Sequence, residues 1–167
     1  SLITYLGGIY WQFNGSNFIT NTSNIVNLNQ WNHIAVVRNG TTTSIYLNGV
    51  SVASGTDNSN YSSTTSTRSI GSYSGGSNAP MYISNCRIVK GTAVYTSNFT
   101  PPTAPVTAIT NTTLLINGTN AGIYDSTAKN NLITVGSAQI STAQSKFGGS
   151  SMLFNGTSDY LTLVDGP

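Results

Sequence analysis

Apolar and polar residues alternate with a period of two along most of this chain, the spacing that sends successive side chains to opposite faces of a strand. The runs are short and rich in Val, Ile, Thr, Tyr and Phe. They include Tyr10-Trp-Gln-Phe13, Phe18-Ile-Thr20, Trp31–Arg38, Thr43–Leu47, Val50–Ala53, Arg68–Gly71, Met81–Val89, Thr113–Ile116, Leu132–Val135, Ser151–Phe154 and Tyr160–Leu163. Between them stand Asn14-Gly15, Asn39-Gly40 and Asn48-Gly49, and Asn-Gly is the strongest short-range hairpin signal because both residues tolerate positive φ. Residues 31–53 therefore read as a three-stranded antiparallel meander. No segment carries apolar residues at the helical spacing, and so many short strands with frequent turns predict an all-β, antiparallel jelly-roll sandwich.

Composition narrows the picture. Apolar residues make up 38% of the 167 residues, enough for a core, while charged residues make up only 6%. The surface must then be solvated by Asn, Ser, Thr and Gly, a composition that argues against disorder, which pairs low hydrophobicity with high net charge. Arg38, Arg68, Arg87, Lys90, Lys129 and Lys146 are scattered, so the concentrated basic face that nucleic acid requires is missing. A lone Cys86 excludes an intrachain disulfide framework and a thiolate zinc site, and its place in an apolar run predicts a buried small hydrophobe. No run approaches the length needed to span a bilayer. The chain opens in a strand-like run without a signal peptide or initiator Met, which suggests a piece of a longer chain.

Trp31-Asn-His-Ile-Ala-Val-Val-Arg-Asn-Gly followed by Ile45-Tyr-Leu-Asn-Gly49 resembles a laminin G-like domain of the concanavalin A-like lectin/glucanase superfamily. Ile88 to Pro105, ending in Phe99-Thr-Pro-Pro-Thr-Ala-Pro105, is similar to the last strand and tail of such modules, especially those repeated in phage tail-fibre and other virion proteins. Leu114-Leu-Ile-Asn-Gly118, Tyr124-Asp-Ser126 and Phe147 to Leu163 resemble the opening of the same module. The resemblance thus divides the chain into 1–105, the C-terminal half of one module with its Pro-rich exit, and 106–167, the N-terminal half of the next. Either the chain is a window on a tandem array, or the halves complete one sandwich by permuted or exchanged strands; bare apolar edges would otherwise aggregate.

His33, the only histidine, reads as a structural residue on a strand face, since no nucleophile element accompanies it. Glycoside hydrolysis needs two carboxylates across the scissile bond. The candidates are Asp57, Asp125, Asp159 and Asp165, and the absence of any Glu removes the catalytic strand pattern of the superfamily's glucanases. The resemblance implies a calcium ion at the sheet rim, with Asp125 and Asp159 as candidate ligands; Asx turns are the competing reading of both. Carbohydrate contact needs exposed aromatics and amides, for which Tyr61, Tyr73, Tyr95, Asn58, Asn60 and Asn78 are the candidates. Trp11 and Trp31 read as core or sheet-face anchors.

These readings converge on a non-enzymatic structural and adhesive module on a virion surface, in a tail fibre or other appendage. Its expected partners are neighbouring virion subunits, copies of itself and host-surface carbohydrate. The alternatives are a bacterial extracellular lectin-like or matrix protein at the cell surface, and a noncatalytic appendage of a secreted glycanase.

Overall fold

A computed structural model of the chain describes residues 2–5, 7–13, 17–23, 25–61, 68–73, 77–78, 80–119 and 122–165. The regular structure among these residues is all β and every strand pairing is antiparallel. The chain forms two compact units, Ser1–Ser63 with Thr92–Pro101, and Thr64–Gly91 with Pro102–Pro167.

In the first unit, β1 (Leu2–Tyr5), β2 (Gly8–Phe13) and β3 (Asn17–Asn21) form one sheet in that order. A second sheet is the expected meander of β4 (Ile34–Asn39), β5 (Thr42–Leu47) and β6 (Val50–Thr56). The inner faces meet in a core of Ile9, Ile19, Ile45 and Leu47, with Trp11, Ile34, Val36 and Val52 packed around it. Alternation along β5 explains the layering: Thr43, Ile45 and Leu47 point inward, while Thr42, Ser44 and Tyr46 take the other face. The Asn21 side-chain amide donates to Val52 O at 2.9 Å, which ties β3 to β6.

The predicted strand Trp31–Arg38 starts only at Ile34. Asn48, at a φ of 50°, turns away from the ladder. Its side-chain oxygen accepts from His33 N, and its own amide donates to His33 O, both at 2.8 Å. The turn thereby closes the hairpin that the strand would have continued. Residues 92–101 return to this turn: Phe99 N donates to Gly49 O at 2.9 Å, and Ser51 N donates to Asn98 Oδ1 at 2.9 Å. Gly49 has a φ of 83° and lies against the Phe99 carbonyl, so a Cβ there would strike backbone.

The second unit holds the sheets β10–β15–β14, β11–β12, β13–β16–β7 and β8–β9. Its strands are β7 (Arg68–Ile70), β8 (Ser72–Tyr73), β9 (Ser77–Asn78), β10 (Pro80–Ile83), β11 (Cys86–Val89), β12 (Thr112–Ile116), β13 (Asn130–Val135), β14 (Gln139–Ser141), β15 (Ser151–Asn155) and β16 (Tyr160–Asp165). Strands before the Pro-rich segment pair with strands after it: β7 with β16, β10 with β15, and β11 with β12. The run Met81–Val89, expected to be continuous, breaks at Ser84-Asn85 because Asn85 adopts a φ of 60° and redirects the chain from one sheet to another. The Asn14-Gly15 turn lies outside the described residues.

Leu114, Ile116, Met152, Phe154 and Leu161 form the core of this unit, with Cys86 packed against it. Burial pushes the Cys86 thiol up to about 11, which suits its predicted role as a small hydrophobe.

Gly71 is where this core leaves least room. Its φ is 93°, and a Cβ would lie 2.6 Å from Phe154 Cδ1. Gly71→Ala should cost at least about 2 kcal/mol through combined backbone strain and overpacking. Gly148→Ala, also at positive φ but with nothing within 4 Å, should cost less. Urea unfolding of both variants checks this; equal losses would mean that the Phe154 contact is immaterial.

Candidate functional site

In the first unit, the chain leaves β6 at Asp57 and reaches Tyr61 in an irregular segment. Its backbone is fixed by hydrogen bonds, beginning with Asp57 N to Thr41 O at 2.8 Å. The Asp57 side chain has no accessible surface. Its Oδ1 accepts from Ser59 N at 2.9 Å, and its Oδ2 accepts from the Tyr61 hydroxyl in a short bond and from Thr43 Oγ1 at 3.4 Å. Burial alone would raise the Asp57 pKa, but the bonds from Tyr61 and Ser59 outweigh it and hold the carboxyl below the ordinary range. Burial and the hydrogen bond to this carboxylate together raise the Tyr61 phenol.

Tyr61 is therefore held by its hydroxyl end while 48% of the residue stays exposed. Trp11 Nε1 donates to the Tyr61 oxygen at 3.2 Å, and the two ring centroids lie 6.1 Å apart at a tilt of 56°. Arg38 closes the other approach, with Cζ 5.5 Å from the Tyr61 ring centre. Its Nε donates to Gly40 O at 3.0 Å and its Nη1 to Ser59 O at 2.6 Å. The result is an aromatic platform in a fixed orientation, flanked by the exposed residues Asn58 and Asn60.

On the opposite face of the same hairpin is a shallow hollow of about 250 Å³. Val37, Asn39, Thr42 and Ser44 form its floor, and Tyr46, Tyr95 and Thr96 complete the lining. Tyr95 stacks on Phe99 at 3.6 Å and 5°. His33 meets both rings edge-on, with centroids 6.3 and 5.5 Å away. This places His33 in an aromatic packing layer. Every side chain lining the hollow is uncharged.

The expected carbohydrate contacts thus separate. Tyr61, Asn58 and Asn60 come together at the platform, and Tyr95 stands at the hollow. Tyr73 and Asn78 fall in β8 and β9 of the second unit, and their side chains lie outside the described residues. Three members of the platform are not among the carbohydrate-contact candidates read from the sequence: Trp11, Arg38 and Asp57. Trp11 packs on the core edge as expected, yet its indole N–H also reaches Tyr61. Only the packing of the β1–β2–β3 sheet against the meander brings it there, and no local pattern signals that.

Asp125 and Asp159, the candidate calcium ligands, are buried in the second unit. Asp125 accepts from the backbone amides of Leu115, Thr127 and Asn130 at 2.9, 2.9 and 3.1 Å. The Thr127 hydroxyl and the Asn130 side-chain amide add bonds of 2.8 and 2.7 Å. Asp159 accepts from Ser137 N at 2.6 Å, Asn155 N at 3.0 Å and Ser158 Oγ at 3.3 Å. A hard cation requires six or more oxygen ligands, roughly, whereas these carboxylates face N–H and O–H donors. Among the described residues no three His, Cys, Asp or Glu side chains cluster to hold a metal. In this arrangement both carboxylates hold turns, as the Asx-turn reading of each expects. No helix among the described residues is long and apolar enough to cross a membrane.

The model of a laminin G-like family, described as the concanavalin A-like lectin/glucanases superfamily, matches residues 3–93. No curated protein and no solved structure matches the chain.

Asp125 supplies a pH-dependent contribution to stability. Burial would raise its pKa, but the bonds from Asn130, Leu115 and Thr127 prevail and lower it to about 2. A depressed pKa stabilises the fold above the unfolded value near about 4 and loses that contribution as pH falls toward about 2. The gap in unfolding free energy between the wild type and Asp125→Asn should be about 2 kcal/mol at neutral pH and shrink across that window. Urea titrations at stepped pH measure it; a gap that does not change with pH would contradict the assignment.

Proposed function

This chain belongs to the laminin G-like family of the concanavalin A-like lectin/glucanases superfamily, and from that premise we propose that it is a non-enzymatic adhesive module whose Tyr61 platform contacts carbohydrate. The observation that carries the reading is the half-exposed Tyr61 ring, held in place through its hydroxyl by buried Asp57. A sugar presents C–H groups on its ring faces and hydroxyls on its rim. A rigid aromatic surface matches the former, and the amides of Asn58 and Asn60 match the latter at little entropic cost. The hollow beside Tyr95 offers a second surface of hydroxyl and amide groups.

A non-enzymatic role is supported by how the carboxylates are used. Asp57, Asp125 and Asp159 are each buried and committed to structural donors, and the chain has no Glu. Acid–base cleavage of a glycoside needs two carboxyl groups directed at the substrate.

The module is proposed to sit on a virion appendage, a tail fibre or other exposed structural protein, among further copies of itself or other subunits. Support comes from the Phe99-Thr-Pro-Pro-Thr-Ala-Pro105 segment and its likeness to the tails of repeated virion modules. Antibodies to the chain should then label the surface of intact particles; labelling confined to bacterial cell-surface material would assign it to an extracellular lectin-like protein.

The binding reading is tested on an immobilised glycan array. The wild-type chain should bind a defined subset of glycans, and Tyr61→Ala should weaken that binding by at least about ten-fold while leaving the circular dichroism spectrum unchanged. Binding that survives Tyr61→Ala but is lost in Tyr95→Ala would move the site to the hollow. Absence of any binding would remove the adhesive reading.

A further inference from the structure

Residues 1–63 and 92–101 contain one Lys or Arg side chain, Arg38, and one acidic side chain, Asp57. The fold treats them oppositely. Asp57 has no accessible surface, and its oxygens are taken by Ser59, Tyr61 and Thr43. Arg38 is exposed, and its bonds run to two backbone carbonyls, Gly40 O and Ser59 O. Those bonds fix the guanidinium plane beside Tyr61 without neutralising its charge. A guanidinium carries five N–H donors, and these two bonds engage only two of its nitrogens.

We propose that the carbohydrate recognised at the Tyr61 platform carries a carboxylate, as uronic and sialic acids do, and that Arg38 receives it. This rests on the reading of Tyr61 as the contact surface and names the class of sugar it selects. The sugar ring lies against Tyr61 and brings its carboxylate to the adjacent guanidinium, where planar fork and planar anion match. Because the unit's two formal charges cancel at a distance, recognition acts at contact, and the preference for acid survives physiological ionic strength. The hollow on the other face, lined only by uncharged groups, has no means of making this distinction.

Isothermal titration of the full chain tests the inference with two matched pairs: trigalacturonate against galactotriose, and sialyllactose against lactose. At least one acidic ligand should bind about ten-fold more tightly than its neutral counterpart, and the pair that shows the difference identifies the uronic or the sialic source. Arg38→Gln should reduce the acid to the neutral level, and Arg38→Lys, which keeps the charge and loses the fork, should fall between. Equal affinity for acid and neutral ligands, with both lost in Tyr61→Ala, would overturn the carboxylate inference and leave the platform standing. An acid preference retained in a folded Arg38→Gln would overturn the role of Arg38. If none of the four sugars binds, the inference fails on these probes, and the array result then decides whether the platform reading falls with it. The comparison of ligands on the wild-type chain stands even if an Arg38 variant fails to fold.

Discussion

Asp57 lies beneath the surface with both carboxylate oxygens engaged, one by the Ser59 amide and the other by the hydroxyls of Tyr61 and Thr43. A buried charge is tolerated only when donors surround it, and satisfying this one dictates the path of residues 57–61. Ser59 must turn its amide inward, which leaves its carbonyl to Arg38. Tyr61 must lay its hydroxyl over the carboxylate, which fixes its ring beside Trp11. An irregular segment without strand pairing thereby acquires a defined side-chain arrangement. Asp125 and Asp159 apply the same physics in the second unit, where each gathers the amides of a turn. With so few charged residues, the fold spends three of its four carboxylates on ordering loops.

The two faces of the β4–β5 hairpin carry different chemistry because strand alternation sends neighbouring residues opposite ways. Arg38 and Thr43 oppose one another in register and point to the Asp57 side. Asn39 and Thr42, the next pair, open onto the hollow. A shift of one residue in this register would exchange the cation for an amide and dismantle both surfaces. The Asn39-Gly40 and Asn48-Gly49 turns pin that register, and the return of Phe99 to Gly49 holds one end of it.

Much of this was legible in the sequence, for local reasons. Alternating apolar runs and Asn-Gly turns located the meander, and the Trp31 to Gly49 pattern carried the family. Elsewhere local cues misled. Met81–Val89 alternates without interruption, yet Asn85 takes a left-handed conformation that nothing in the run announces. The start of β4 at Ile34 depends on the hydrogen bond from His33 to Asn48, fifteen residues along the chain. The platform was half visible: Tyr61, Asn58 and Asn60 are the exposed aromatic and amide types that the sequence reading sought, whereas Trp11 reaches Tyr61 across fifty residues. In the sequence, Asp57 reads only as a candidate catalytic carboxylate. Its structural role depends on burial, which one sequence does not reveal.

Contact of carbohydrate with the Tyr61 platform is read most directly by nuclear magnetic resonance. The isotope-labelled chain would be titrated with the glycan that gives the strongest array signal. Shift changes should concentrate at the Trp11 indole N–H, the Arg38 guanidinium and the amides of residues 57–61, with the second unit unmoved. Shifts confined to residues around Tyr95 and Thr96, or to the second unit, would contradict contact at Tyr61.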